Sequence, residues 1–131
     1  MRIAFDVKGT IEGPKKRQII YILTELRKRG HEVVVWSNAY MFAKDAVNDN
    51  HLECEATDKL TLWDAKERDK SLYDLAIDDD SSQTWLAAKR FIWVHDVPTD
   101  SVGLAELIEL IHSERWEDTQ CQTNDQASRY V

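Results

Sequence analysis

Three apolar runs in this sequence each end in groups suited to phosphate and metal chemistry. The first, Ile3-Ala4-Phe5, ends in Asp6 and is followed by Val7-Lys8-Gly9-Thr10. An aspartate that closes a strand, with a Gly-Thr turn behind it, can direct its carboxylate into a crevice. There it can attack a phosphorus atom or hold a metal. The second run, Val33-Val34-Val35-Trp36, ends in Ser37-Asn38, and the third, Leu75-Ala76-Ile77, ends in Asp78-Asp79-Asp80. A hydroxyl can donate to phosphoryl oxygens, and neighbouring carboxylates supply the oxygen ligands that magnesium prefers.

The elements between these runs must bring them together. Residues 2–6 read as a buried strand. Pro14 suits the first turn of a helix, where its missing N–H costs little. Ile19, Ile22, Leu23 and Leu26 give that helix one apolar face, Lys28 and Arg29 fall in its last turn, and Gly30 suits a left-handed ending. A second strand covers 31–36, and Asn38 is expected to cap a helix through about Val47. A weaker strand is placed at 52–56. Thr57 or Asp58 then caps a helix that carries Lys59, Leu60, Leu62, Trp63 and Lys66. Residues 72–77 lead into the acidic strand end. Ser81 or Ser82 is expected to cap a short helix through about Lys89. Residues 90–95 form a fifth strand, and Thr99 or Asp100 opens a helix bearing Leu104, Leu107, Ile108 and Ile111.

Strands alternating with helices predict a three-layer α/β/α, Rossmann-like parallel sheet of about five strands. Ligands of such sheets bind beyond the carboxyl ends of the strands, at the switch point, and Asp6, Ser37 and Asp78 all occupy such ends. The domain is expected to span residues 1–112. Residues 113–131 lose periodicity and read as a polar tail that is either mobile or docked through Trp116 or Tyr130.

Together the motifs resemble the haloacid dehalogenase superfamily, whose members are mostly phosphatases. Asp6-Val7-Lys8-Gly9-Thr10 is similar to its first motif, Asp-x-Asp-Gly-Thr. Ser37 matches the second motif, Lys59 the third and Asp78-Asp79 the fourth. The stretch Leu75-Ala76-Ile77-Asp78-Asp79 resembles polynucleotide 3′-phosphatase domains. The resemblance covers roughly residues 1–97. It implies Asp6 as nucleophile and metal ligand, with Asp79 and Asp78 completing the shell of a Mg2+ ion. It implies Ser37 and Lys59 on the transferring oxygens, with Lys66 and Lys70 as alternatives to Lys59. Gly9, Thr10 and Asn38 would line the phosphate site. No large insertion follows Thr10 or Ser37, so the chain resembles a capless member.

Lys8 departs from the motif, standing where the family has its second aspartate. Its backbone carbonyl remains available to a metal. Its ammonium, charged at neutral pH, could instead sit among the carboxylates and take the metal's electrostatic place. Two functions are then open. One is a Mg2+-dependent phosphohydrolase working through an aspartyl-phosphate. The other is a non-catalytic binding or regulatory protein in which Lys8 replaces the metal charge.

Bulk properties narrow the partners. The 131 residues are 43% hydrophobic and 31% charged, as expected of a soluble domain with its own core. A net charge of −7 argues against an extended nucleic-acid surface, because phosphate backbones attract basic patches. A phosphorylated small molecule or a nucleic-acid end remains open as substrate. Cys54 and Cys121 lie far apart with no metal-ligand spacing. The N-terminus has no apolar leader and no stretch is long enough to span a bilayer, so the expectation is a cytoplasmic protein without a membrane partner.

Overall fold

Strand assignment follows from burial on both faces. Of β1 (Arg2–Asp6), β2 (Glu32–Ser37), β3 (Glu55–Asp58), β4 (Leu75–Asp78) and β5 (Arg90–Trp93), all but β3 are mostly runs of apolar residues; β3, at the sheet edge, is polar and partly exposed. A strand buried on two faces shows such a run because successive side chains point to opposite sides. The computed structural model describes residues 1–113 and 122–123. In it these five strands form a parallel sheet in the order β3-β2-β1-β4-β5. A two-residue strand, β6 (Gln122–Thr123), pairs antiparallel with β5. The tail pattern predicts no strand there, and the rest of the tail lies outside the described residues.

One face of the sheet carries Ile3, Phe5, Val33, Val35, Leu75, Ile77 and Ile92, packed with α1 (Lys16–Lys28), α2 (Tyr40–Asp49) and α4 (Ser101–His112). The predicted apolar faces of α1 and α4 are the buried ones. The other face carries Ala4, Val34, Trp36, Ala76, Phe91 and Trp93, covered by Tyr73, Leu86 and Ala88. Beside that cover, α3 (Leu62–Glu67) packs Leu62 and Ala65 with Leu72 and Ala87. The result is a three-layer, Rossmann-like α/β fold. Only five residues separate Thr10 from α1, and only α2 and β3 lie between Ser37 and Lys59, so neither place holds a cap domain. No helix among the described residues is long and apolar enough to cross a membrane.

Four local expectations are corrected. Pro14 precedes α1 by two residues, in a turn where the Lys16 N–H donates to the Gly13 carbonyl at 3.2 Å. Asn38 does not cap α2. Strand β2 continues to Ser37, so extended Ala39 becomes the N-cap, without a side-chain cap bond. Lys59 is not helical either. β3 runs later than expected, to Asp58, and the Lys59 N–H extends the ladder to the Ser37 carbonyl at 2.9 Å. The cap of α3 is Thr61, in a reciprocal capping box with Asp64. Finally, residues 81–89 form no helix. Asp80 Oδ1 accepts from the Ser82 N–H and hydroxyl at 2.9 and 2.7 Å, turning the chain. Leu86 and Ala88 then bridge to Thr61 and Tyr73 in extended conformation. Burying this apolar stretch over the sheet outweighs the helical propensity of Leu86, Ala87 and Ala88.

Gly30 takes φ +92° after α1, the left-handed ending its position suggested. Asp100 caps α4 by accepting from the Gly103 N–H at 2.9 Å. Strand order is what positions the polar strand ends. The chain steps outward from β1 through β2 to β3, then crosses to β4 on the other side of β1. That reversal puts the ends of β1 and β4 side by side at a switch point, with the end of β2 next to them.

Candidate active site

Asp6 ends the central strand and is 5% exposed, and Asp78 ends β4 and is fully buried. The turn after β1 is closed by short backbone bonds. The Glu12 N–H donates to the Val7 carbonyl at 2.8 Å, and the Thr10 N–H to the same carbonyl at 3.1 Å. Gly9 makes this turn possible at φ +81°. It also lies against the Asp79 carboxylate so closely that a Cβ would overlap Asp79 Oδ2. Thr10 is buried, and its hydroxyl reaches Asp6 Oδ2 at 3.4 Å. Its side chain thus orients Asp6, and the resemblance's phosphate-lining role for Thr10 has no exposed surface behind it.

Lys59 is the cation of the site. Its Nζ lies 2.8 Å from Asp6 Oδ1 and 3.3 Å from Asp78 Oδ2, and it donates to Gln83 Oε1 at 2.7 Å. Asp78 Oδ1 accepts the Asp80 N–H at 3.0 Å, which fixes the acidic strand end. Lys66 and Lys70, the alternatives, are exposed. Gln83 was not anticipated. It stands in the irregular 79–89 segment, and nothing in its sequence context distinguishes it from any loop glutamine.

Above these groups opens a crevice of about 340 Å³, lined by Asp6, Lys8, Ser37, Asn38, Lys59 and Asp79 among others. Ser37 is nearly buried, with Oγ accepting the Ala39 N–H at 3.4 Å, and Asn38 is exposed at the rim. Lys8 does not sit among the carboxylates by an ion pair. Its side chain is exposed and makes no hydrogen bond or salt bridge among the described residues. Lys59, arriving from the end of β3, holds the place expected of Lys8.

Charge is unbalanced in this crevice. Asp6, Asp78 and Asp79 each present a carboxylate oxygen, all within 4.8 Å of one another. One ammonium faces them. Burial pushes the Asp6 carboxyl up to about 7; the Asp78 charge adds to this and Lys59 opposes it. Burial also raises Asp78, again opposed by Lys59. Excess negative charge on hard oxygen donors, beside an open crevice, is the setting a divalent cation such as Mg2+ suits. Asp6, Asp78 and Asp79 are the residues fitted to hold one.

Comparison with protein-family models, with curated proteins and with solved structures finds no match. Any function assigned to the chain therefore rests on its fold and on the convergence of these side chains.

Proposed function

We propose that this chain is a capless, cytoplasmic, Mg2+-dependent phosphohydrolase of haloacid dehalogenase type, acting on a phosphomonoester through an aspartyl-phosphate. The observation that carries the reading is the position of Asp6. It ends the central strand, is oriented by Thr10 and Lys59, stands within a carboxylate trio, and faces an open crevice. The substrate class is a phosphorylated small molecule or a nucleic-acid end.

In this mechanism an Asp6 oxygen attacks phosphorus as the bond to the ester oxygen breaks, and the departing alkoxide takes a proton from water or from Lys8. Water then attacks the same phosphorus, releasing inorganic phosphate and restoring Asp6. Lys59 and the Ser37 hydroxyl hold the non-bridging oxygens, which concentrate negative charge in the transition state. A magnesium ion at Asp6, Asp78 and Asp79 would supply electrostatic neutralisation of that charge.

The test is hydrolysis of 4-nitrophenyl phosphate with and without MgCl2, by wild type and Asp6→Asn. The expected result is magnesium-dependent turnover that Asp6→Asn lowers by at least about a thousandfold, because an amide is a poor nucleophile. Equal rates in the two proteins would exclude Asp6 as the attacking group.

The rival, a non-catalytic protein neutralised by Lys8, has no Lys8 ion pair among the described residues to support it. The one observation in its favour is the Lys59 ammonium bridging Asp6 and Asp78. Under that version the protein would fail to bind magnesium in a calorimetric titration.

A further inference from the structure

The crevice over Asp6 does not end at the phosphate site. Lys8, Ser37 and Phe42 line it, and the same three residues line a second cavity of about 420 Å³. The two spaces therefore adjoin across these side chains. The second cavity lies between the turn after β1, at Val7 and Glu12, and one face of α2. Phe42, Asp45, Ala46 and Asp49 supply that face, at the three- and four-residue spacings that align side chains along a helix. At its far end Asn50 Nδ2 donates to Glu12 Oε1 at 2.8 Å, and Lys16 pairs with Glu12 at 3.2 Å. These bonds tie α2 to the turn and set the width of the groove. Phe42 stands at the junction, 63% exposed despite its size.

We propose that this groove is the leaving-group subsite, and that it selects phosphomonoesters of aromatic alcohols carrying no second negative charge. The proposal rests on the phosphohydrolase reading above. An ester with its phosphorus against Asp6 must project the rest of the molecule out of the crevice, and the junction at Phe42 offers that exit a ring. Flat apolar groups gain from an aromatic face, whereas polyhydroxyl chains gain little. Charge disfavours the other open class: three carboxylates, of Glu12, Asp45 and Asp49, line the groove against the ammoniums of Lys8 and Lys16, and Lys16 is already paired with Glu12. Asp45 and Asp49 are exposed carboxylates with no cationic partner among the described residues. A nucleic-acid strand leaving through this groove would lay further phosphates along them, at an electrostatic cost.

The experiment uses 2-naphthyl phosphate, glycerol phosphate and a 3′-phosphorylated oligonucleotide with the full chain. Phe42→Ala should narrow the kcat/KM ratio of naphthyl over glycerol ester by about fivefold to tenfold, chiefly through KM, the size of one aromatic contact. Asp45→Asn with Asp49→Asn should raise kcat/KM for the oligonucleotide. Binding of 2-naphthyl phosphate to Asp6→Asn should shift the amide resonances of residues 42–50. These shifts, together with a wild-type protein that hydrolyses none of the three esters, would sink the phosphohydrolase reading and keep the subsite. Turnover with no shift along α2 and an unaltered ratio in Phe42→Ala would overturn the subsite alone. So would a wild-type preference for the oligonucleotide.

Discussion

Lys59 and Asp6 form an ion pair at 2.8 Å, with side chains 5% and 6% exposed. Removing one partner of a buried pair leaves an uncompensated charge, which typically costs about 3–5 kcal/mol. Lys59→Met leaves Asp6 and Asp78 facing each other without their ammonium. The expected loss in urea unfolding at pH 8 is about 3 kcal/mol. It should shrink toward pH 5, where protonation relieves the stranded carboxylates. A loss of the same size at both pH values would mean that packing, not charge, is what Lys59 contributes.

Asp6 itself makes stability depend on pH. Its carboxyl is raised from the ordinary 3.8 to about 7 in the folded protein. Between those values the folded state holds a proton that the unfolded state has released, so stability falls as pH rises. The contribution is complete below about pH 4 and is lost as pH passes through about 7. In EDTA, urea midpoints should therefore decline across this window, and Asp6→Asn should flatten that part of the profile. Activity should move the opposite way, rising as Asp6 becomes the anion that attacks. A flat wild-type midpoint between pH 4 and pH 7 would contradict the raised carboxyl.

Gly9 and Gly30 separate backbone strain from site chemistry. Both have left-handed φ, at +81° and +92°, where a side chain costs about 1–2 kcal/mol. A Cβ on Gly9 would strike the Asp79 carboxylate, whereas one on Gly30 would meet nothing within 4 Å. Both alanine variants should lower the melting temperature. Only Gly9→Ala should also weaken magnesium binding by calorimetry, because Asp79 must move. Equal magnesium affinities in the two variants would place Asp79 outside the metal shell.

Much of the site frame was legible because its strands are buried on both faces. Ile3 to Phe5, Val33 to Trp36 and Leu75 to Ile77 announce themselves as apolar runs, and their polar ends could be read directly as Asp6, Ser37 and Asp78. Lys59 was reached only through resemblance, since a lone lysine after Asp58 carries no local signal. The segment 81–89 misled because serines after an acidic cluster look like a helix start. Its actual conformation is set by pairing with Thr61 and Tyr73, residues distant in sequence. Gln83 was invisible for the same reason. The Lys8 expectation assumed that a charge in the turn must fold inward, but Lys59 already meets Asp6 and Asp78 from β3.

Lys15 holds the far side of the sheet end. Its Nζ donates to the carbonyls of Val94, His95 and Val97 at 3.0, 3.0 and 2.6 Å. One ammonium thus satisfies three oxygens of the 3-10 turn after β5 and ties that turn to the start of α1. Lys15→Met strips all three, and charged hydrogen bonds contribute about 1.5–3 kcal/mol each when fully formed. Because Lys15 is half-buried and water can replace part of the loss, the expected cost is about 2 kcal/mol. Thermal unfolding should show it, with magnesium affinity preserved. A melting temperature equal to wild type would make these contacts energetically neutral.

Lys8 borders the crevice with an exposed ammonium that engages neither Asp6 nor Asp79. A free cation at that rim repels a divalent ion through solvent, so its effect is moderate and weakens with salt. Lys8→Met should raise magnesium affinity a few-fold at low ionic strength by removing the repulsion. Lys8→Asp should raise it further, on the order of tenfold, by adding attraction. Only the aspartate also supplies a group able to protonate a leaving oxygen and activate water. Turnover of an alkyl phosphate, a poor leaving group, should therefore rise more in Lys8→Asp than in Lys8→Met, while 4-nitrophenyl phosphate should separate the two less. If both variants are folded and neither gains affinity nor rate, Lys8 does not limit this site. The limiting step would then lie with the Lys59 ammonium, which must yield Asp6 before that carboxylate can attack.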